Sequence, residues 1–313
     1  MPKTTFNAFQ QRTVSSQAAK FISTFKGFDI PNFIPITNKM ILRMRKQFQD
    51  GEDKVELDLI KRHHLKIEPV TYNNVPGLKI TPENVIAGQG AIVNIHGGGF
   101  IMGTARDRNG LLAATETHLP VYSVNYTLSP EAAAPIALEE AQNFYAGVVN
   151  ELGEQPVRVM GSSAGSTIAA SMLVRAHAAG LKMPQVAILF CPALDISGDG
   201  DSTVFDSRRD AMSVHLSMRL AKTYIDKKDP HDPNLSPMYA EIGAWFPATY
   251  MTTGTRDMMI SNVLRFTDKL KKANVPVGST IKDGMWHGFT WEETLPEAIE
   301  TRQDAWQFMA EHV

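Results

Sequence analysis

The chain has 313 residues, 43% hydrophobic and 20% charged, enough apolar material for one large core with at most a small appendage. Thirty-one basic residues stand against 33 acidic ones, a formal charge of −2, so there is no basic field for nucleic acid and none is expected as a partner. Cys191 is the only cysteine, which excludes an internal disulfide and a cysteine-built zinc site and fits a reducing, cytoplasmic location.

Residues 1–28 carry Lys3, Arg12, Lys20 and Lys26 but no acid, with Phe6, Phe9, Phe21 and Phe25 at near-helical spacing. Such a segment can be a transit peptide or an interfacial helix, but amphipathic helices mostly cover a core, and that reading is expected here. The N-terminus lacks the basic start, apolar middle and small-residue cleavage site of a secretory signal, and no apolar run reaches about eighteen residues. Stable membrane insertion is therefore not expected. Residues 55–82, with VELDLI and the turn NNVPG, are expected to add early strands.

From about residue 90 short β-branched or aromatic runs alternate with segments of helical length. The runs are AIVNI (91–95), VYSVNY (121–126), VRVM (157–160), VAILF (186–190), ATYMTTG (248–254) and VPVGSTIK (275–282); helices are expected over 106–118, 131–150, 165–180, 261–274 and 295–312. Strands alternating with helices imply a parallel sheet covered on both faces. The alternation breaks once, between VAILF and ATYMTTG. Residues 191–247 hold a helical pattern around 210–226 and the stretch DKKDPHDPNLSP, too long for one crossover and expected to cap the carboxyl edge of the sheet.

GSSAGS (161–166) lies between VRVM and the next helix, where Gly161 and Gly165 leave room for a sharp turn that exposes Ser163. G-x-S-x-G alone is weak, since glycine and serine near 7% each produce it by chance in about one chain in ten of this length. A serine hydroxyl needs a histidine to take its proton, an acid to orient that histidine, and N–H groups for the oxyanion. HGGGF (96–100) follows AIVNI, and its three consecutive glycines free the N–H groups of Gly98 and Gly99 to face a carbonyl oxygen, with that of Ala164 as a third donor. Asp257 ends the strand ATYMTTG and His287 sits in the turn GMWHGF, so acid and base follow the serine in the order of this fold. Asp283 is nearer to His287 in sequence, but it sits at the end of the strand itself and adjacency in sequence is not the geometry a triad needs, so Asp257 is the preferred acid. His63, His64, His215 and His231 form no metal-ligand spacing and are expected on the surface; no metal and no cofactor are expected.

These residues resemble the hormone-sensitive-lipase-like, or bacterial family IV, esterases of the α/β-hydrolase fold. The resemblance rests on HGGGF, NYTLSPEAAAPIALEEA (125–141), GSSAGS, SPMYA (236–240), GTRDMM (254–259) and WHGF (286–289), and covers the chain from about residue 88. It implies a mostly parallel, twisted α/β sheet of about eight strands with helices on both faces. It also implies a helical cap made of residues 1–50 and 198–245 on a core of 51–197 and 246–313. By the same resemblance Ser163 is the nucleophile, Asp257 the acid and His287 the base, Gly98, Gly99 and Ala164 form the oxyanion hole, and His96 holds the glycine loop. A homodimer is expected by analogy.

Three positions depart from the family pattern. At the elbow the family often has G-D-S-A-G-G, whereas here Ser162 replaces the acid and Ser166 the last glycine; Ser261 stands where another acid commonly follows Asp257 by four residues. The expected activity is hydrolysis of short-chain carboxylic esters through an acyl-enzyme. The alternative is a lactone hydrolase using the same residues, motivated by the altered elbow and by Trp245, Phe246, Trp286 and Trp291 near the expected pocket. A non-catalytic small-molecule receptor is the remote alternative, disfavoured because His287 is present.

Overall fold

The computed structural model describes residues 6–25, 29–205 and 209–313; Lys3 and Lys26 lie outside them. A short 3-10 turn at Gln10–Arg12 and helix α1 (Ser16–Thr24) are followed by the long α2 (Asn38–Arg62). Strands β1 (Lys66–Tyr72), β2 (Val75–Thr81) and β3 (Ala91–Ile95) lead to α3 (Arg108–Thr117), β4 (Val121–Val124) and α4 (Ile136–Leu152). Then come β5 (Val157–Ser162), α5 (Ala164–Ala178) and β6 (Val186–Phe190). The insertion holds α6 (Ser202–Phe205) and α7 (Val214–Ile225), and β7 (Ala248–Gly254), α8 (Ile260–Lys272), β8 (Val277–Lys282) and α9 (Pro296–Glu311) complete the chain.

The strands form one eight-stranded sheet in the order β1-β2-β4-β3-β5-β6-β7-β8. β1 with β2 and β2 with β4 are antiparallel, and the remaining pairs are parallel. Every residue of β3, β5, β6 and β7 is buried, as strands covered on both faces must be, while the edge strands β1 and β8 alternate between half-buried and exposed. Successive residues serve opposite layers. Val93, Val159, Leu189 and Met251 pack with Phe144 of α4, Ile168 of α5 and Phe266 of α8, while Ile92, Met160, Ile188 and Tyr250 pack with Leu111 of α3 and Met309 of α9. Each such buried side chain contributes about 1.5–3 kcal/mol, so the strand ends beneath the site are rigid.

VELDLI is not a strand. Val55–Ile60 lie within α2, and β1 begins only at Lys66. A strand would turn Val55, Leu57 and Leu59 to one covered face, yet Leu59 is buried while Val55 and Leu57 stay 39% and 55% exposed. The helical setting wins because Glu52 and Glu56 meet Arg108 and Arg106 across the α2–α3 contact. The boundary expected at residues 50/51 also falls inside α2.

Two apolar clusters join the N-terminal segment to the insertion. Ile30 and Ile41 pack with Ile101 of the glycine loop and with Leu216 and Leu220 of α7. Phe6, Ala18 and Ile22 pack with Ala211 of the insertion and with Met285, Trp286 and Phe289 around His287. No helix among the described residues is long and apolar enough to cross a membrane.

Candidate active site

Ser163 sits between the end of β5 and the first residue of α5, with φ 52° and ψ −121°. A non-glycine residue rarely adopts this backbone, and such strain persists only where the surroundings enforce it. They do: the Ser163 N–H donates to Phe190 O (2.9 Å), and its carbonyl accepts from Ser166 and Ala193 (3.0 and 3.3 Å). The turn depends on Gly165, where a Cβ would stand 2.1 Å from Ile95 O and 2.4 Å from His96 O. Any larger residue would push β3 away from α5.

Ser163 Oγ lies 2.8 Å from His287 Nε2, and His287 Nδ1 lies 2.9 Å from Asp257 Oδ1. Asp257 is wholly buried and also accepts from the Met259 N–H (2.8 Å) and the Thr253 hydroxyl (2.9 Å). Burial alone would push its carboxyl up, but the charge and hydrogen bond of His287, aided by Met259 and Thr253, hold it below the ordinary value. Burial would likewise lower His287, yet Asp257 and, more weakly, Asp210 raise it above its ordinary 6.5. The arrangement can take a proton from Ser163 and stabilise the imidazolium that forms. Asp283 plays no part in it, since its exposed carboxylate accepts from Thr13 and Thr255.

The glycine loop faces the serine. Gly98 has φ 113°, and a Cβ there would meet Met102 O at 2.0 Å, so only glycine allows the loop to fold back on itself. The N–H groups of Gly98, Gly99 and Ala164 have no protein acceptor among the hydrogen bonds of the described residues. His96 is buried beneath them, stacked on Tyr126 at 4.2 Å, with Nδ1 2.8 Å from Gly97 O. Burial lowers it to about 4, so the ring is neutral. The Tyr126 hydroxyl donates to His96 O (2.9 Å). Ser162, at the position of the family's acid, is buried with its Oγ against Gly97. Ser261 pairs instead with Ser202 of the insertion: each N–H donates to the other's hydroxyl, at 3.0 and 3.1 Å.

Sequence reasoning missed two residues at this site. Arg45 of α2 donates to Ile101 O (2.6 Å) and Ser129 O (2.7 Å) while paired with Glu131, and so holds the glycine loop from the N-terminal side. Asp210 of the insertion accepts from the N–H of His287 (2.9 Å). Neither lies in a motif, so no local signal marks them. Cys191 completes a trio of potential metal ligands with Asp257 and His287, but both nitrogens of His287 are already engaged. Of the other histidines, His63 is half-buried beside Glu293, His64 and His215 are exposed, and His231 is 47% exposed between Asp199 and Asp229.

Ser163 and His287 open into a cavity of about 350 Å³. Its walls come from the N-terminal segment (Phe25, Met44, Phe48), the glycine loop, the insertion (Met212, Leu216, Met218) and the acid and base loops (Met258, Met259, Trp291). Of the four aromatics expected near the pocket only Trp291 lines it. Trp286 stacks on Phe21 at 4.1 Å, Trp245 on His177 at 4.0 Å, and Phe246 meets Phe266 edge-on.

Comparison with known proteins fits this geometry. Residues 92–291 match the model of a family described as having the alpha/beta hydrolase fold. The chain belongs to that family. An esterase of Acinetobacter venetianus is 28% identical over 250 residues, covering 78% of this chain and 82% of the relative. Hormone-sensitive lipase of Bos taurus is 32% identical over 146 residues, covering 44% of this chain but 19% of that larger protein. In fold, the crystal structure of an esterase E25 superposes with a TM-score of 0.87 at 23% identity, covering 96% of this chain and 95% of that one. The chain thus stands among the esterases of the α/β-hydrolase family, on the hormone-sensitive-lipase-like side that its motifs indicate.

Proposed function

We propose that this chain is a carboxylesterase that cleaves short-chain carboxylic esters through an acyl-enzyme on Ser163. The observation that carries the reading is the hydrogen-bonded line Ser163–His287–Asp257, at 2.8 and 2.9 Å, opening into an apolar cavity. His287 takes the Ser163 proton as Oγ attacks the ester carbonyl, and the N–H groups of Gly98, Gly99 and Ala164 hold the oxyanion. The alcohol leaves with the proton from His287; water, deprotonated by the same histidine, then releases the acid. His96 keeps the glycine loop in place, and the site works beneath a proposed cap of residues 1–50 and 198–245.

A cavity near the small end of ligand pockets, lined by Phe48, Leu216 and Met218, supports the short-chain preference. On p-nitrophenyl acetate, butyrate, octanoate and laurate, kcat/KM is expected to peak at acetate or butyrate and to fall at least about tenfold by octanoate. A maximum at laurate would overturn it. The lactone reading is not favoured: of its two motives, the aromatic one falls away because three of the four aromatics are packed elsewhere, and the altered elbow leaves the Ser163–His287–Asp257 line intact. A homodimer joined through the exposed edge of β8 is the accompanying proposal, since an unpaired parallel edge can accept a second copy; light scattering during size-exclusion chromatography decides between one mass and two.

A further inference from the structure

Among the described residues, Asp210 is the one acid of the insertion that reaches both loops of the catalytic machinery. Its Oδ1 accepts from the N–H of His287 (2.9 Å) and its Oδ2 from the N–H of Met258 (3.0 Å), the residue after Asp257. One carboxylate therefore bridges the β7–α8 and β8–α9 loops. Without it, two buried N–H groups beside the base and the acid would lack a partner. The bridge is packed as well as bonded: Asp210 is buried, and its neighbour Ala211 lies in the apolar cluster with Met285, Trp286 and Phe289.

We propose that Asp210 is a positioning residue for the ester hydrolase, fixing the spacing of the His287 and Asp257 loops from the insertion so that a properly seated cap is a condition of catalysis. The inference rests on the esterase reading above. Its position explains why a buried acid is kept where an apolar side chain would pack more cheaply: only a carboxylate offers an acceptor to each loop at once. An asparagine accepts through one oxygen and turns its NH2 group toward the other N–H, so one of the two donors is left unpaired.

Charge makes the role measurable. The groups facing Asp210 are Asp257 on the acid loop, His287 on the base loop and Cys191 after β6, with Arg256 next to Asp257 and its guanidinium over Phe6. Burial and then the charge of Asp257 push Asp210 up, the charge of His287 and the N–H groups of His287 and Met258 pull it back, and Asp210 in turn helps to raise His287. His287 is active when neutral, so removing this negative charge lowers its pKa and moves the acid limb of kcat/KM to lower pH. A purely structural residue would leave that limb in place.

The experiment compares wild type, Asp210→Asn and Asp210→Glu on p-nitrophenyl butyrate across pH, with melting temperatures and labelling of Ser163 by a fluorophosphonate. Asp210→Asn is expected to be folded, with kcat down about 10- to 100-fold, KM within about threefold, and the acid limb at lower pH. Asp210→Glu is expected to restore the wild-type limb and part of kcat. Wild-type kinetics in Asp210→Asn, a loss of kcat without movement of the limb, no rescue by glutamate, or unfolding of both variants would each overturn the proposal. Failure of the esterase reading looks different, because the wild type itself would then neither turn over the ester nor label at Ser163.

Discussion

Ser163→Ala is expected to lower kcat on p-nitrophenyl butyrate by about a million-fold while the protein stays folded. The size follows from the cooperation of the site, because without Oγ the base has nothing to deprotonate and the oxyanion donors have no tetrahedral adduct to hold. What remains is attack by water in a preformed pocket. The fold should tolerate the change, since among the described residues the only side-chain hydrogen bond of Ser163 is the one to His287 Nε2. Alanine carries the same Cβ as serine at φ 52°, so the strain of the turn is neither relieved nor increased. Circular dichroism and the melting temperature should therefore match wild type closely. A folded variant that kept even about a tenth of wild-type turnover would place the chemistry elsewhere and return the elbow to a packing role.

How much of this was legible in the sequence depends on whether a feature is local. VAILF and ATYMTTG were read with the bounds of β6 and β7 because continuous apolar runs between helices have few other solutions. The elbow and glycine loop were legible because close backbone approach demands glycine at fixed places, and that demand leaves a mark in a few adjacent letters. VELDLI misled because a short run with apolar residues at alternate positions fits both periods; the partner of its Glu56, Arg106, lies fifty residues away in sequence. Asp210 and Arg45 were illegible for the same reason. Their meaning lies in backbone groups of distant loops, and a hydrogen bond to a backbone N–H or carbonyl places no requirement on the partner's side chain. The tryptophans show the converse: an aromatic beside a motif in sequence is not beside the site in space, since Trp286 adjoins His287 in the chain yet stacks away from the cavity on Phe21.

Asp257→Asn should lower kcat by about a thousand- to ten-thousand-fold with little effect on KM. The asparagine can keep the shape of the site, its oxygen accepting from Met259 and its NH2 donating to Thr253, so the expected loss is electrostatic and tautomeric rather than structural. A flipped amide would turn an NH2 group toward Nδ1 and favour the tautomer whose proton sits on Nε2, facing Ser163, where it cannot act as a base. Even an unflipped amide leaves the imidazolium without its buried counter-charge. The pH profile carries the same signature. In the wild type the base is active when neutral and its pKa is raised, so activity should rise with pH through a midpoint above 6.5. In Asp257→Asn the remaining activity should rise at lower pH, because the main charge that holds the proton on His287 is gone. Asp283→Asn is the matched control, an acid four residues from His287 whose carboxylate, among the described residues, meets threonine hydroxyls, and it should leave kcat within about twofold. Equal losses in the two variants would mean that nearness in sequence had chosen the acid after all; a loss confined to Asp257 ties the chemistry to the end of β7, where the sheet delivers that carboxylate to the base.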